Sequence, residues 1–129
     1  MKVYIGSDHA GYDLKEQLKM FISEELGLVV KDLGANTLDI NDDYPDLIRP
    51  VAEAVSKNNG DLGIILGGSG QGESIVANRV SGVRAAVYYG GPEEIIKLSK
   101  EHNNANILSL GARFLNVEDA KNAVELWIE

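Results

Sequence analysis

Four glycines, at positions 67, 68, 70 and 72, crowd the segment Gly67-Gly68-Ser69-Gly70-Gln71-Gly72-Glu73, between an apolar run and the start of a helical pattern. With no side chains in the way, backbone N–H groups in such a turn can converge on an anion. A strand-to-helix turn by itself accounts for one or two glycines rather than four. Glu73 falls in the first turn of the helix that follows, where a carboxylate facing an amide-lined pocket can carry a proton to and from a bound substrate. The other reading of Glu73 is an acid that complements the helix dipole or its own cap. The chain holds two histidines. His9 follows Asp8, a carboxylate able to orient an imidazole or polarise a hydroxyl, and His102 precedes Asn103 and Asn104, which both donate and accept hydrogen bonds. Either histidine alone also fits an ordinary surface position.

Several chemistries are disfavoured by what stands next to these residues. A nucleotide-binding Walker loop ends Gly-Lys-Ser/Thr, whereas this turn ends Gly72-Glu73-Ser74 and puts an acid where the lysine belongs. The dinucleotide fingerprint G-x-G-x-x-G is missing from this turn and from Gly6-Ser7-Asp8-His9-Ala10-Gly11. Gly67-Gly68-Ser69-Gly70-Gln71 lacks the closing glycine of a nucleophile elbow, which argues against a serine hydrolase. The absence of cysteine removes disulfides, thiolate metal sites and thiol nucleophiles. Asp8, His9 and His102 could together hold a metal, but adjacent residues rarely ligate one ion and no H-E-x-x-H or similar spacing appears, so no metal is expected.

These residues need elements to hold them. The hydrophobic period alternates between short apolar runs and longer amphipathic stretches, with no linker, low-complexity tract or repeat, so residues 1–129 read as one domain. Strands are expected at Val3-Tyr4-Ile5, Leu28-Val29-Val30, Leu62 to Leu66, Ala85-Ala86-Val87 and Ile107 to Leu110. Helices are expected from Ala10 to Leu26, from Asp46 to a stop at Lys57-Asn58-Asn59-Gly60, through Ile75 to Asn78, from Pro92 to Glu101, and from Val117 to Trp127. The stretch from Gly34 to Asp43 reads as a loop closed by Tyr44-Pro45, and Trp127 as core or subunit interface. Short apolar strands alternating with helices predict an α/β fold, a doubly wound five-stranded parallel sheet between two helical layers. Ligands in that architecture bind beyond the carboxyl ends of the strands. Ser7 to Gly11, Gly67 to Glu73 and the stretch around His102-Asn103 are therefore expected to share one rim.

Twelve Lys plus Arg against twenty Asp plus Glu give a net charge of −8, which argues against nucleic acid as a partner. No run approaches the length of a membrane span and no signal-type segment opens the chain, so a soluble cytoplasmic protein is expected. A domain of 129 residues gains from subunit contact, which makes an oligomer a reasonable expectation.

Taken in series, Gly6-Ser7-Asp8-His9-Ala10-Gly11, Asp43-Tyr44-Pro45, Gly67 to Glu73, Ala77-Asn78-Arg79 and Glu101-His102-Asn103-Asn104-Ala105-Asn106 resemble the type B ribose-5-phosphate isomerases. Their superfamily includes the galactose-6-phosphate isomerase subunits, and the resemblance runs along essentially the whole chain. It implies a Rossmann-like homodimer, or a tetramer built from it. Such an enzyme interconverts an aldose phosphate and a ketose phosphate without cofactor, at sites completed across the dimer interface. Members divide by their base: some carry Cys at the position of Gly67, others Glu at that of Glu73, and this sequence resembles the second group. By the same resemblance, Ser69 and the amides of Gly68, Gly70 and Gly72 stabilise the enediolate. His102 with Asp8 assists ring opening, Asn103 and Tyr44 support the sugar, and His9 and Arg113 help to hold the phosphate. Family members usually continue into a tail whose arginines clamp that phosphate, whereas this sequence has no Arg after Arg113. A paralogue that binds sugar phosphate without turning it over is the alternative expectation, as is an isomerase for another pentose or hexose phosphate.

Overall fold

The computed structural model describes residues 1–34, 36 and 44–129. Among them five strands alternate with five helices: β1 (Lys2–Ser7), α1 (Tyr12–Met20), β2 (Val29–Asp32), α2 (Tyr44–Lys57), β3 (Leu62–Gly67), α3 (Gln71–Asn78), β4 (Ala85–Tyr88), α4 (Glu94–Glu101), β5 (Ile107–Gly111) and α5 (Val117–Ile128). Helix α1 is entered through a tight turn at His9–Gly11 and leaves through a wider π turn at Phe21–Glu25. Gly27 and Gly60 follow the first two helices with φ of +67° and +93°, a backbone shape that glycine adopts without penalty. The loop reading from Gly34 to Asp43, including Asp42 and Asp43, falls largely outside the described residues.

All strands run parallel in the order β2-β1-β3-β5-β4. Alternation along each strand sends side chains to two cores. Val3, Ile5, Ile64, Leu66, Leu108 and Leu110 pack with Leu14, Leu18, Ile22, Ile96, Val124 and Trp127, which places α1, α4 and α5 on one face. Tyr4, Ile65 and Ile107 pack with Ile48, Val51, Val55, Val76 and Ala77, which places α2 and α3 on the other. The three-layer expectation is met, and Trp127 is fully buried in the core. All six residues of β3 are buried, as its run of Leu62, Ile64, Ile65 and Leu66 requires.

Strand β2 starts one residue later and ends two residues later than its apolar letters suggest, because it is an edge strand that tolerates Lys31 and Asp32. Asp32 is held by two lysines of α1: Lys15, whose ammonium lies 2.7 Å away on a side chain with no exposure, and Lys19, also at 2.7 Å. Burial works to raise the Asp32 carboxyl, but its hydrogen bonds from Lys15, Lys19 and the Gly34 amide outweigh that and keep it below its ordinary value.

No helix among the described residues is long and apolar enough to cross a membrane.

Candidate active site at the carboxyl edge of the sheet

Strand order reverses between β1 and β3: the chain leaves β1 toward β2 on one side and returns to β3 on the other. The register pairs Ser7 with Leu66 and Gly67 with Gly111, so the segments that follow β1, β3 and β5 emerge side by side. A crevice at such a switch point is where ligands bind in open parallel sheets.

From β1 comes Asp8. Its backbone N–H donates to the Leu66 carbonyl at 3.3 Å, and its Oδ1 accepts from the amides of Ala10 at 2.9 Å and Gly11 at 3.2 Å. The carboxylate is thus fixed against its own turn and is almost fully buried. Gly11 makes that turn feasible, because a Cβ there would stand 2.6 Å from the Leu66 Cβ. His9 lies half-buried on the same turn.

From β3 comes the glycine segment. Gly70 has φ of +81°, its carbonyl accepts the Ser109 hydroxyl at 2.6 Å and the Ser74 amide at 3.1 Å, and α3 starts at the next residue. Ser69 Oγ accepts from the Gln71 amide at 3.2 Å. The guanidinium of Arg113 lies against Gly68, with Nη1 only 3.0 Å from where a Cβ would be, and the Arg113 amide donates to the Gly68 carbonyl at 3.0 Å. Tyr44 Oη stands over Gly72 in the same way, at 3.0 Å. These missing side chains leave room for Arg113 and Tyr44 to close on the turn.

Glu73, 5 % exposed, folds back from α3 across the start of this segment. A Cβ on Gly67 would fall on its carboxylate. Gly67 and Glu73 therefore compete for one volume: a side chain at position 67 and the carboxylate cannot both occupy it. Burial pushes the Glu73 carboxyl above its ordinary value, and the Asp8 carboxylate adds to that rise by its charge and by a hydrogen bond. The amides of Glu73 itself and of Gly70 pull the other way without cancelling it. A buried carboxyl of raised basicity beside a second carboxyl and the backbone of a glycine segment can remove a proton from carbon while N–H groups of that segment receive developing negative charge.

Nine of the expected residues, Asp8, His9, Tyr44, Gly68, Ser69, Gly70, Gly72, Glu73 and Arg113, are contributed by segments that meet at this edge. His102 and Asn103 are not. The expectation of a single shared rim is corrected here: His102 closes the C-terminal end of α4, its amide donating to the Leu98 carbonyl at 2.9 Å, and β5 begins only at Ile107. A residue that precedes a parallel strand lies at the opposite edge from residues that follow one. Five residues of β5 separate the two edges by about 16 Å at roughly 3.3 Å per residue. Within one chain His102 therefore meets neither Glu73 nor Asp8, and the grouping of Asp8, His9 and His102 about one metal ion has no geometric basis there.

Two supporting residues escaped the reading of the sequence. Ser109 is fully buried and holds the Gly70 carbonyl, and the signal for it is a lone hydroxyl inside the apolar run Ile107-Leu108-Ser109-Leu110. Gly111 admits the main chain of Ser69, since a Cβ there would stand 2.6 Å from the Ser69 carbonyl oxygen.

A family model described as Ribose/Galactose Isomerase matches residues 3–129. Ribose-5-phosphate isomerase B of Mycobacterium leprae is 40 % identical over 128 residues, which are 99 % of this chain and 77 % of the relative. Among solved structures, ribose-5-phosphate isomerase B of Clostridium thermocellum superposes with a TM-score of 0.93 at 43 % identity, over 100 % of this chain and 84 % of that one. The enzyme of Mycoplasma genitalium, crystallised with bound ribulose-5-phosphate, superposes with a TM-score of 0.89 at 40 % identity, over 99 % and 83 %.

Proposed function

This chain belongs to the ribose/galactose isomerase family, and from that premise we propose that it interconverts ribose 5-phosphate and ribulose 5-phosphate through an enediolate, with Glu73 as the base. The observation that carries the assignment of the base is the Glu73 carboxylate, buried, raised in pKa and folded over Gly67 beside Asp8 and the glycine segment.

In the open-chain aldose, Glu73 takes the proton from C2, and the electron pair of the C2–H bond forms the C1–C2 double bond as the C1 carbonyl becomes an oxyanion. Amides of the Gly68 to Gly72 segment and the Ser69 hydroxyl supply donors for that charge. Glu73 then returns the proton to C1 while the C2 hydroxyl passes its proton to the O1 oxyanion and becomes the ketose carbonyl. The net result moves one hydrogen from C2 to C1 and one from O2 to O1. Asp8, fixed by two amides, is held to accept a hydrogen bond from a sugar hydroxyl. Arg113, whose guanidinium lies against Gly68, supplies positive charge for the phosphate and His9 a ring N–H donor, and Tyr44 borders the crevice over Gly72.

Opening the furanose ring needs an acid at the ring oxygen O4 and a base at the O1 hydroxyl, and we assign it to His102, with Asn103, supplied by a second copy of the chain. The distance between the two sheet edges supports this assignment, because one chain cannot bring His102 to its own Glu73. Exposed apolar side chains suited to subunit contact stand on α3 and beyond β4 and β5: Ile75 at 55 %, Tyr89 at 49 % and Phe114 at 64 % exposure.

The test is incubation with ribose 5-phosphate in heavy water, following ketose formation and deuterium at C1 and C2. Glu73→Gln is expected to lower turnover by about a hundredfold to ten-thousandfold, the usual range for a lost general base. Binding of ribose 5-phosphate without turnover by the unaltered protein would refute the isomerase reading. Undiminished exchange in Glu73→Gln would refute the base.

A further inference from the structure

The loop that carries His102 and Asn103 is tied down by a hydrogen-bond network at the amino edge of the sheet that the reaction itself does not use. Arg84, the residue before β4, donates from Nε to the Asn104 carbonyl at 2.6 Å and from Nη1 to the Gly82 carbonyl at 3.2 Å. Asn106, the residue before β5, reciprocates: its Oδ1 accepts the Arg84 amide at 2.8 Å and its Nδ2 donates to the Gly82 carbonyl at 2.9 Å. The Asn106 amide closes the set by donating to the Arg84 carbonyl at 3.0 Å.

What this network holds is unusual backbone. Among the described residues Asn104 is the one non-glycine residue with positive φ, at +51°. Its amide donates back to the Lys100 carbonyl at 3.1 Å, and the Ala105 amide to the Ser99 carbonyl at 2.9 Å, so the chain reverses out of α4 within a few residues. Asparagine tolerates the left-handed shape better than other side-chain-bearing residues, but a surface turn of this kind stays in one conformation only where neighbours over-determine it. Arg84 does so directly, because a planar guanidinium can grip two carbonyls in a fixed relation. His102 and Asn103 are both exposed and sit two and one positions before the gripped Asn104.

We propose that Arg84, with Asn106, is a positioning residue for catalysis: it fixes the His102–Asn104 turn so that the imidazole and the Asn103 amide are presented in one orientation to the active site of a second copy. The proposal rests on the shared-site reading above, and its test separates the two. Arg84→Ala is expected to lower kcat about ten- to a hundredfold with KM changed less than threefold, since misplacing a catalytic group by about 1 Å costs on the order of a hundredfold. Should Arg84→Ala unfold or dissociate, Arg84→Lys keeps the charge but not the two-pronged geometry and carries the same expectation.

Mixed dimers, made by co-expressing two differently tagged chains, supply the readout that a general structural defect would not move. Pairing Glu73→Gln with Arg84→Ala leaves one site with an intact Glu73 facing an intact His102 turn, so activity should recover to about half that of the unaltered dimer. Pairing His102→Ala with Arg84→Ala leaves no intact site and should recover nothing. Pairing Glu73→Gln with His102→Ala is the control for the shared site itself. If that control recovers and the Glu73→Gln with Arg84→Ala pair does not, Arg84 acts on its own chain's site and the proposal is overturned while the shared site stands. If the control does not recover, the shared site falls and the proposal with it. An Arg84→Ala dimer within twofold of the unaltered kcat overturns the proposal alone.

Discussion

Replacing Gly67 by alanine adds one methyl group at the place where the Glu73 carboxylate already sits. Gly67 is outside the left-handed region, so alanine imposes no backbone penalty there, and the whole perturbation is the clash of its Cβ with the carboxyl group. Contact between a methyl carbon and a carboxylate oxygen needs about 3.4 Å, so Glu73 must shift by roughly 1 Å or more from its place beside Asp8. A displacement of about 1 Å from productive geometry costs on the order of a hundredfold in rate, equivalent to about 2.7 kcal/mol in the barrier. The same movement relieves the burial that is the largest cause of the raised Glu73 carboxyl, so its pKa falls back toward the ordinary 4.5. A base works when ionised, so the acidic limb of the kcat/KM profile, which rises with pH as Glu73 loses its proton, should move to lower pH in the variant. Steady-state assays with ribose 5-phosphate across the acidic range measure both effects. A Gly67→Ala enzyme within about threefold of the parent, with its acidic limb unmoved, would show that Glu73 is not the titrating base held over Gly67.

Two further outcomes follow from charges inside the fold. Because the folded protein holds the Glu73 proton more tightly than the unfolded chain does, stability falls as pH rises from about 4.5 through the raised value, and the cost is complete above it. Glu73→Gln should therefore raise the midpoint of urea unfolding at neutral pH and leave it little changed near pH 4; an equal effect at both pH values would contradict the raised pKa. Asp32 has the opposite sign: its lowered carboxyl contributes stability above about pH 3.8 that is lost as pH falls through the folded value. Asp32→Asn removes the nearest carboxylate from the ammonium of Lys15, whose side chain has no exposure, and should cost about 3 kcal/mol at neutral pH, the lower end for a broken buried pair because Glu16 remains 3.5 Å away. Chemical denaturation measures it, and a loss under about 1 kcal/mol would mean that Asp32 is not the principal partner.

Local pattern by itself settled most of the elements and the glycine turn. The run from Leu62 to Leu66 has no polar face and had to be an internal strand, while Leu14, Leu18 and Ile22 recur at helical spacing and had to pack on one side. The glycines at 67, 68, 70 and 72 announced close approach, and the structure brings Glu73, Arg113, Ser109 and Tyr44 to them in turn. Which residues meet was another matter, since side-chain proximity depends on strand order and direction rather than on neighbours in the chain. Insertion of β5 between β3 and β4 sets Ser109 under Gly70, and a pairwise pattern over a few residues contains nothing about that insertion. The sidedness of His102 follows from the parallel direction of β5, which carries a residue before the strand to the far edge. Glu73 in the first turn of α3 could have pointed to water and served the helix dipole. Only the packed fold, by leaving Gly67 bare beneath it and Asp8 beside it, turned that carboxylate inward, where burial raises its pKa.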